Sequence, residues 1–215
     1  MKTILYLGTD PTQFESSEHL IHYPVIRIVP RQLEQPDIKQ AFDDIDAYTH
    51  FIFTSKNAVK IFFSHLVSLN KSIDTLKAKR IIAIGSVTAA HLFIQGCPAT
   101  DISTEETQEG VVKLLGTMDL DDAYLFLPRS SLSRPILANF FKERELRHQA
   151  CDLYDTVSHC QQPIPDLDRI DEIVFTSPST VQAFLDIFGA LPKGKKCLAI
   201  GPITEQALLA AGREE

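Results

Sequence analysis

Short apolar runs alternate with segments of helical spacing along most of this chain. Ile4-Leu5-Tyr6-Leu7-Gly8 is apolar and closed by glycine and turn formers, the pattern of a buried strand. Pro24 to Val29 carries Val25, Ile26, Ile28 and Val29 and reads as a second strand, and Ile38 to Ile45 as a helix. A regular alternation follows. Strands are predicted at Thr49–Thr54, Arg80–Ile84, Ala99–Ile102, Ala123–Leu127, Gln149–Val157, Glu172–Thr176 and Lys196–Ile200. Helices are predicted at Asn57–Leu69, Val87–Gln95, from Thr107, at Pro135–Glu145, Thr180–Phe188 and Thr204–Ala211. In the first of these Val59, Phe62, Phe63 and Leu66 fall on one face. Gly96 and Gly212 close two helices as C′ residues, and Thr107 suits an N-cap.

Strand-helix alternation implies parallel sheets covered by helices on both faces, an α/β fold. Pro30 and Pro36 bracket residues 31–35, and Pro163 and Pro165 mark a second break. The economical topology is discontinuous. Residues 1–30 and 161–215 form one lobe, residues 36–157 an inserted second lobe, and residues 31–35 and 158–168 the linkers.

The two lobes share an internal duplication. Phe51-Ile52-Phe53-Thr54-Ser55-Lys56-Asn57-Ala58-Val59 is echoed by Ile173-Val174-Phe175-Thr176-Ser177-Pro178-Ser179-Thr180-Val181. Ala83-Ile84-Gly85-Ser86-Val87-Thr88 is echoed by Ala199-Ile200-Gly201-Pro202-Ile203-Thr204. In both copies the next glycine comes eleven residues later, at Gly96 and at Gly212. A unit this long predicts two similar lobes rather than a solenoid, with a cleft for a ligand.

Charge narrows the choice of ligand. The chain has 215 residues and a formal net charge of −7, without a Lys/Arg-rich block, so nucleic acid is not the expected partner. Lys77-Ala78-Lys79-Arg80 reads as a solvated loop. Cys97, Cys151, Cys160 and Cys197 lack CxxC spacing and read as buried thiols. No apolar run approaches 20 residues, and Met1-Lys2-Thr3 leads directly into a strand. A cytosolic protein with no membrane partner is the expectation.

The chemistry sits at strand ends. Each Phe-Thr-Ser places hydroxyls (Thr54 and Ser55, Thr176 and Ser177) at the carboxyl end of a buried strand, where open α/β sheets bind ligands. The following helix presents free N–H groups, capped by Ser55 or Asn57 in one copy and Ser177 or Ser179 in the other. Capping alone and ligand binding both remain open here. Gly85 and Gly201 permit tight turns and close backbone approach. Neither copy supplies GxGxxG or a Walker A sequence, so no nucleotide cofactor is expected. Arg129, in Leu127-Pro128-Arg129-Ser130-Ser131, is read as lying in a strand-end loop, holding either a ligand carboxylate or a surface ion pair. His19 and His22 have no partners at metal-ligand spacing, so no metal is expected. Glu109, Asp119, Asp121 and Asp122 read as loop solvation. GxSxG, HExxH and Cys–His signatures are absent, so catalysis would rest on positioning and electrostatics.

Taken in order, these motifs resemble uroporphyrinogen-III synthase. They are Phe53-Thr54-Ser55 with Val59, Ala83-Ile84-Gly85 with Thr88 and Gly96, Thr107-x-Glu109-Gly110, Leu127-Pro128-Arg129 and Leu153-Tyr154-Asp155-Thr156. Phe175-Thr176-Ser177-Pro178-Ser179 and Ala199-Ile200-Gly201-Pro202 with Thr204 complete the set. The resemblance implies a monomeric, cofactor-free hydro-lyase that cyclises linear hydroxymethylbilane to uroporphyrinogen III. Water leaves the ring A hydroxymethyl group, giving an azafulvene. Ring D attacks through its substituted carbon, and the resulting spirocycle fragments and recloses with ring D inverted. By resemblance Tyr154 assists the departing hydroxyl, or else packs as a strand-end ring. Thr54, Ser55, Gly85, Ser86, Thr88, Arg129, Ser130, Ser177, Ser179, Gly201 and Thr204 are the implied substrate-binding set.

Three positions depart from the family pattern. Gly8 stands where an arginine is common, and Ser130 where glycine is usual after Pro-Arg. The sequence ends at Glu215, without the strand and Thr-capped helix that follow Gly96 in the first copy. That ending predicts a smaller first lobe with a less protected edge. It also favours a second class of function, a non-catalytic two-lobed module binding a tetrapyrrole or other polycarboxylate. A phosphosugar-binding regulator is disfavoured, because no DNA-binding helix pair or basic arm is evident.

Overall fold

The computed structural model describes residues 2–12, 14 and 18–212. β1 (Thr3–Tyr6), β2 (His19–His22) and β3 (Ile26–Pro30) open the chain. α1 (Pro36–Asp43), β4 (His50–Phe53), α2 (Lys56–Ser68), β5 (Arg80–Ala83), α3 (Ser86–Ile94), β6 (Asp101–Ile102) and α4 (Gln108–Leu115) follow. Then come β7 (Tyr124–Ser130), α5 (Ile136–Glu143), β8 (Arg147–Ser158), β9 (Glu172–Phe175), α6 (Pro178–Phe188), β10 (Lys196–Ala199) and α7 (Pro202–Ala211). The chain divides into two units, residues 1–28 with 156–215 and residues 29–155.

The discontinuous unit holds a sheet of order β10-β9-β1-β2, with every neighbouring pair parallel. Alternation along β1 sends Leu5 and Leu7 into a core with Val25, Ile173, Phe175, Val181 and Phe184. Ile4 and Tyr6 point to the opposite face with Val174. Strands buried on both faces need continuous apolar runs, which explains why β1 and β9 were legible. β2 was not predicted. Its sequence, His-Leu-Ile-His, has only two apolar residues, enough for an end strand paired with β1 alone.

The other sheet has order β3-β8-β7-β4-β5-β6, parallel from β8 through β6. The Arg31 N–H donates to Leu153 O at 2.8 Å and the His159 N–H to Val25 O at 2.7 Å, so β3 and β8 run antiparallel. One face buries Tyr48, Phe42, Phe51, Phe62 and Phe126, with Tyr48 and Phe126 stacked at 4.7 Å between centroids. Ile52, Ile82, Leu125, Leu127, Val111, Leu137 and Phe141 fill the opposite face.

Two local expectations change. β7 continues through Pro128, Arg129 and Ser130, which the sequence reading placed in a loop. Pairing of β7 with β4 ends at Phe126, so Pro128 needs no donor on that side, and β8 alone continues the ladder. Cys160 is exposed rather than buried, because it lies in the polar segment after β8.

Candidate functional site

Three predicted residues of unit 29–155 lie at or just past the carboxyl ends of parallel strands, the ligand-binding end of such sheets. Ser55 follows β4 by two residues and Gly85 follows β5 by two. Ser130 ends β7 and is the register partner of a fourth, Tyr154 on β8, across a bulge between Arg129 and Ser130. The bulge re-aims these side chains by adding one residue to β8 between the pairs.

Ser55 is the N-cap of α2, its Oγ accepting the Ala58 N–H at 3.0 Å. The same oxygen lies 2.9 Å from the Tyr154 hydroxyl. Tyr154 is only 4% exposed. Burial pushes its phenol above the ordinary value of 10, while Ser55 and then Ser130 pull it back down. Ser130 Oγ also accepts the Leu132 N–H at 3.2 Å.

Arg129 is held by an ion pair, Nε to Asp152 Oδ1 at 2.8 Å, with both side chains largely buried. A second clamp was missed by sequence reasoning. Arg31 grips Asp155 through Nε at 3.0 Å and Nη2 at 2.8 Å, and Ser131 Oγ donates to the same carboxylate at 2.6 Å. Those three donors hold the Asp155 carboxyl below its ordinary value. The only sequence signal was an arginine in a proline-bracketed crossing.

Glu106 is the other omission. Its carboxylate accepts the Ser86 N–H at 2.8 Å and the Ser86 hydroxyl at 2.7 Å, at the start of α3. It lies against Gly85, where an added Cβ would meet Glu106 Cδ at 2.5 Å. Thr88, three residues into the same turn, is buried. Glu109 is not loop solvation as expected. It sits in the first turn of α4 and takes Arg134 in two bonds of 2.6 and 2.8 Å, which lowers its carboxyl to about 2.

The copy in the discontinuous unit uses its hydroxyls differently. Ser177 caps α6 in a capping box with Thr180, and its Oγ lies 2.8 Å from Ser179 Oγ. Thr180 Oγ1 accepts the N–H groups of Thr176 and Ser177, both at 3.1 Å. Gly201 precedes α7 at φ 85°, a left-handed conformation that selects glycine, with nothing within 4 Å of an added Cβ. Thr204 is buried. An arginine in place of Gly8 would put its Cβ 2.6 Å from Thr176 Cγ2. Tyr6 Cε1 would stand 2.9 Å from the same Cβ. Among the described residues no group of three or more His, Cys, Asp or Glu is placed to hold a metal, and no helix is long and apolar enough to cross a membrane.

The family profile described as uroporphyrinogen-III synthase HemD matches residues 15–215. The chain belongs to the uroporphyrinogen-III synthase HemD family. A curated relative, the porphyrin biosynthesis protein HemD of Ruminiclostridium josui, is 25% identical over 195 residues, or 87% of this chain. The chain spans 38% of that relative's length. Two solved structures share the fold. A variant of uroporphyrinogen III synthase from the extreme thermophile Thermus thermophilus aligns with TM-score 0.68 and 17% identity, over 99% of this chain and 90% of that one. Uroporphyrinogen-III synthetase from Helicobacter pylori aligns with TM-score 0.66 and 20% identity, over the same shares. Two parallel-rich sheets flanked by helices are the fold of uroporphyrinogen-III synthases.

Proposed function

We propose that this chain is a uroporphyrinogen-III synthase, closing hydroxymethylbilane with inversion of ring D. The observation that carries the reading is a tyrosine–serine hydroxyl pair at the carboxyl ends of a parallel sheet, in a member of this family. Tyr154 gives its proton to the ring A hydroxyl, which leaves as water. The proton returns when the last pyrrole carbon to form a bond loses its hydrogen and the ring regains aromaticity. Thr54, Ser55, Gly85, Ser86, Thr88, Arg129 and Ser130 are the candidate binding residues of unit 29–155, and Ser177, Ser179, Gly201 and Thr204 are those of the discontinuous unit. Residues 31–35 and 158–168 act as the links between lobes. No cofactor enters the scheme, and the protein works as a cytoplasmic monomer.

The chemistry suits an acidic protein with local donors. A polycarboxylate gains nothing from a net charge of −7, so its carboxylates must be met by hydroxyls, helix N-termini and the few placed arginines. Uncatalysed closure gives the uninverted isomer I. The protein's work is to hold ring D so that attack through the substituted carbon wins. Incubation with freshly generated hydroxymethylbilane, followed by separation of the isomers, should yield isomer III above the blank. Isomer I alone at the blank rate, with tight binding of the tetrapyrrole, would leave the non-catalytic module in its place.

A further inference from the structure

Ser55 makes two contacts, and the first leaves its hydroxyl one proton and one lone pair for the second. A serine hydroxyl has one proton and two lone pairs. One lone pair accepts the Ala58 N–H at 3.0 Å, at the N-terminus of α2. That bond draws electron density from the oxygen and strengthens the hydroxyl as a donor. The group facing it is the Tyr154 hydroxyl, 2.9 Å away. Ser130 is the register partner of Tyr154 on the neighbouring strand, and its oxygen accepts the Leu132 N–H at 3.2 Å.

We infer that Ser55 is a positioning residue, donating its proton to the Tyr154 oxygen so that the phenol proton is turned away from α2 and towards the substrate. Ser130 supports the same orientation from the neighbouring strand. The inference rests on the proposed role of Tyr154, and it changes the role of Ser55. Its hydroxyl is committed to the cap and the tyrosine, so it acts through Tyr154 rather than by holding a carboxylate. A donor to the phenol oxygen stabilises the ionised form, which fits the downward pull of Ser55 against burial.

Asparagine and glycine separate the two functions of Ser55. Both are tolerated as N-caps, so S55N and S55G each preserve α2. Asparagine keeps donor hydrogens, whereas glycine has no side-chain donor and adds no charge beside the phenol. The probe is 3,5-difluorotyrosine at position 154, which brings the phenol titration into a pH range the fold tolerates, read by fluorine NMR. S55G should raise the titration midpoint over S55N by on the order of half a pH unit or more. In the unlabelled protein, kcat for S55G should fall roughly tenfold below that of S55N, with KM little changed. Equal midpoints in two folded variants would overturn the assignment of Ser55 as donor. Separated midpoints with equal kcat would instead remove Tyr154 from the chemistry, and the positioning role with it.

Discussion

Tyr154 should be needed for turnover more than for the fold. Tyr154→Phe keeps the buried ring and removes the hydroxyl that meets Ser55 at 2.9 Å. Loss of a general acid lowers kcat by roughly a hundredfold or more, while one lost hydrogen bond costs about 1 kcal/mol of stability. Single-turnover kinetics beside a denaturant titration would check both, and unchanged turnover in a folded variant would acquit the hydroxyl. Thiols supply a second expectation at this scale. Burial pushes Cys151 up to about 12 and Cys97 up to about 11, whereas Cys160 is exposed. Since the thiolate is the reactive form, iodoacetamide at pH 8 should modify Cys160 first and spare Cys151 while the fold persists. Peptide mapping that found Cys151 alkylated as fast as Cys160 would contradict this. The cap at Thr107 was legible in sequence, and those at Ser55 and Ser177 were narrowed to two residues each, because a cap is written within four residues. The Arg31–Asp155 clamp was not, because its partners lie 124 positions apart.

Helix starts carry the acidic chemistry of the elements. Glu109, in the first turn of α4, has its carboxyl lowered from the ordinary 4.5 to about 2, chiefly by Arg134. A depressed folded value means the unfolded chain binds the proton first as pH falls. The stabilisation is therefore complete above pH 4.5 and is lost progressively towards about pH 2. Both side chains are more than a third open to solvent or close to it, so screening leaves about 1 kcal/mol. Glu109→Gln should lower stability at pH 7 by that amount and flatten the acid limb, as measured by thermal unfolding across pH. An acid limb of unchanged slope would show that the pair is silent. Glu106 on Ser86 works in the same direction, its carboxyl lowered by the hydroxyl and N–H it accepts. The sequence offered no sign of it, because Glu106 comes from the loop before α4 while the helix it caps is α3. Element type was readable nearly throughout. β2 is a half-exposed end strand without a continuous apolar run and was missed, whereas β7 was read as a strand and only its extension through Pro128 was not.

At the scale of the molecule, the two copies of the duplication pack unequally. Ile81, Ile82 and Ala83 of β5 are buried, flanked by β4 and β6. Their counterparts in the second copy, Cys197, Leu198 and Ala199 of β10, are only partly buried, and β10 ends its sheet. A groove of about 590 Å³ runs along it, lined by Leu191, Cys197, Leu198, Pro202 and Leu208. Local opening is governed by how much apolar contact and strand pairing an element would lose. β10 and α7 lose less than their counterparts β5 and α3, since β4, β5 and β7 lie inside a six-stranded sheet with a packed core on each face. Hydrogen exchange should therefore release β10 and α7 before β5 and α3, although the two copies share their sequence motifs. Limited proteolysis should cut at α7 before α3. Equal protection of β5–α3 and β10–α7 would mean that the repeated motifs, rather than the strands around them, set local stability.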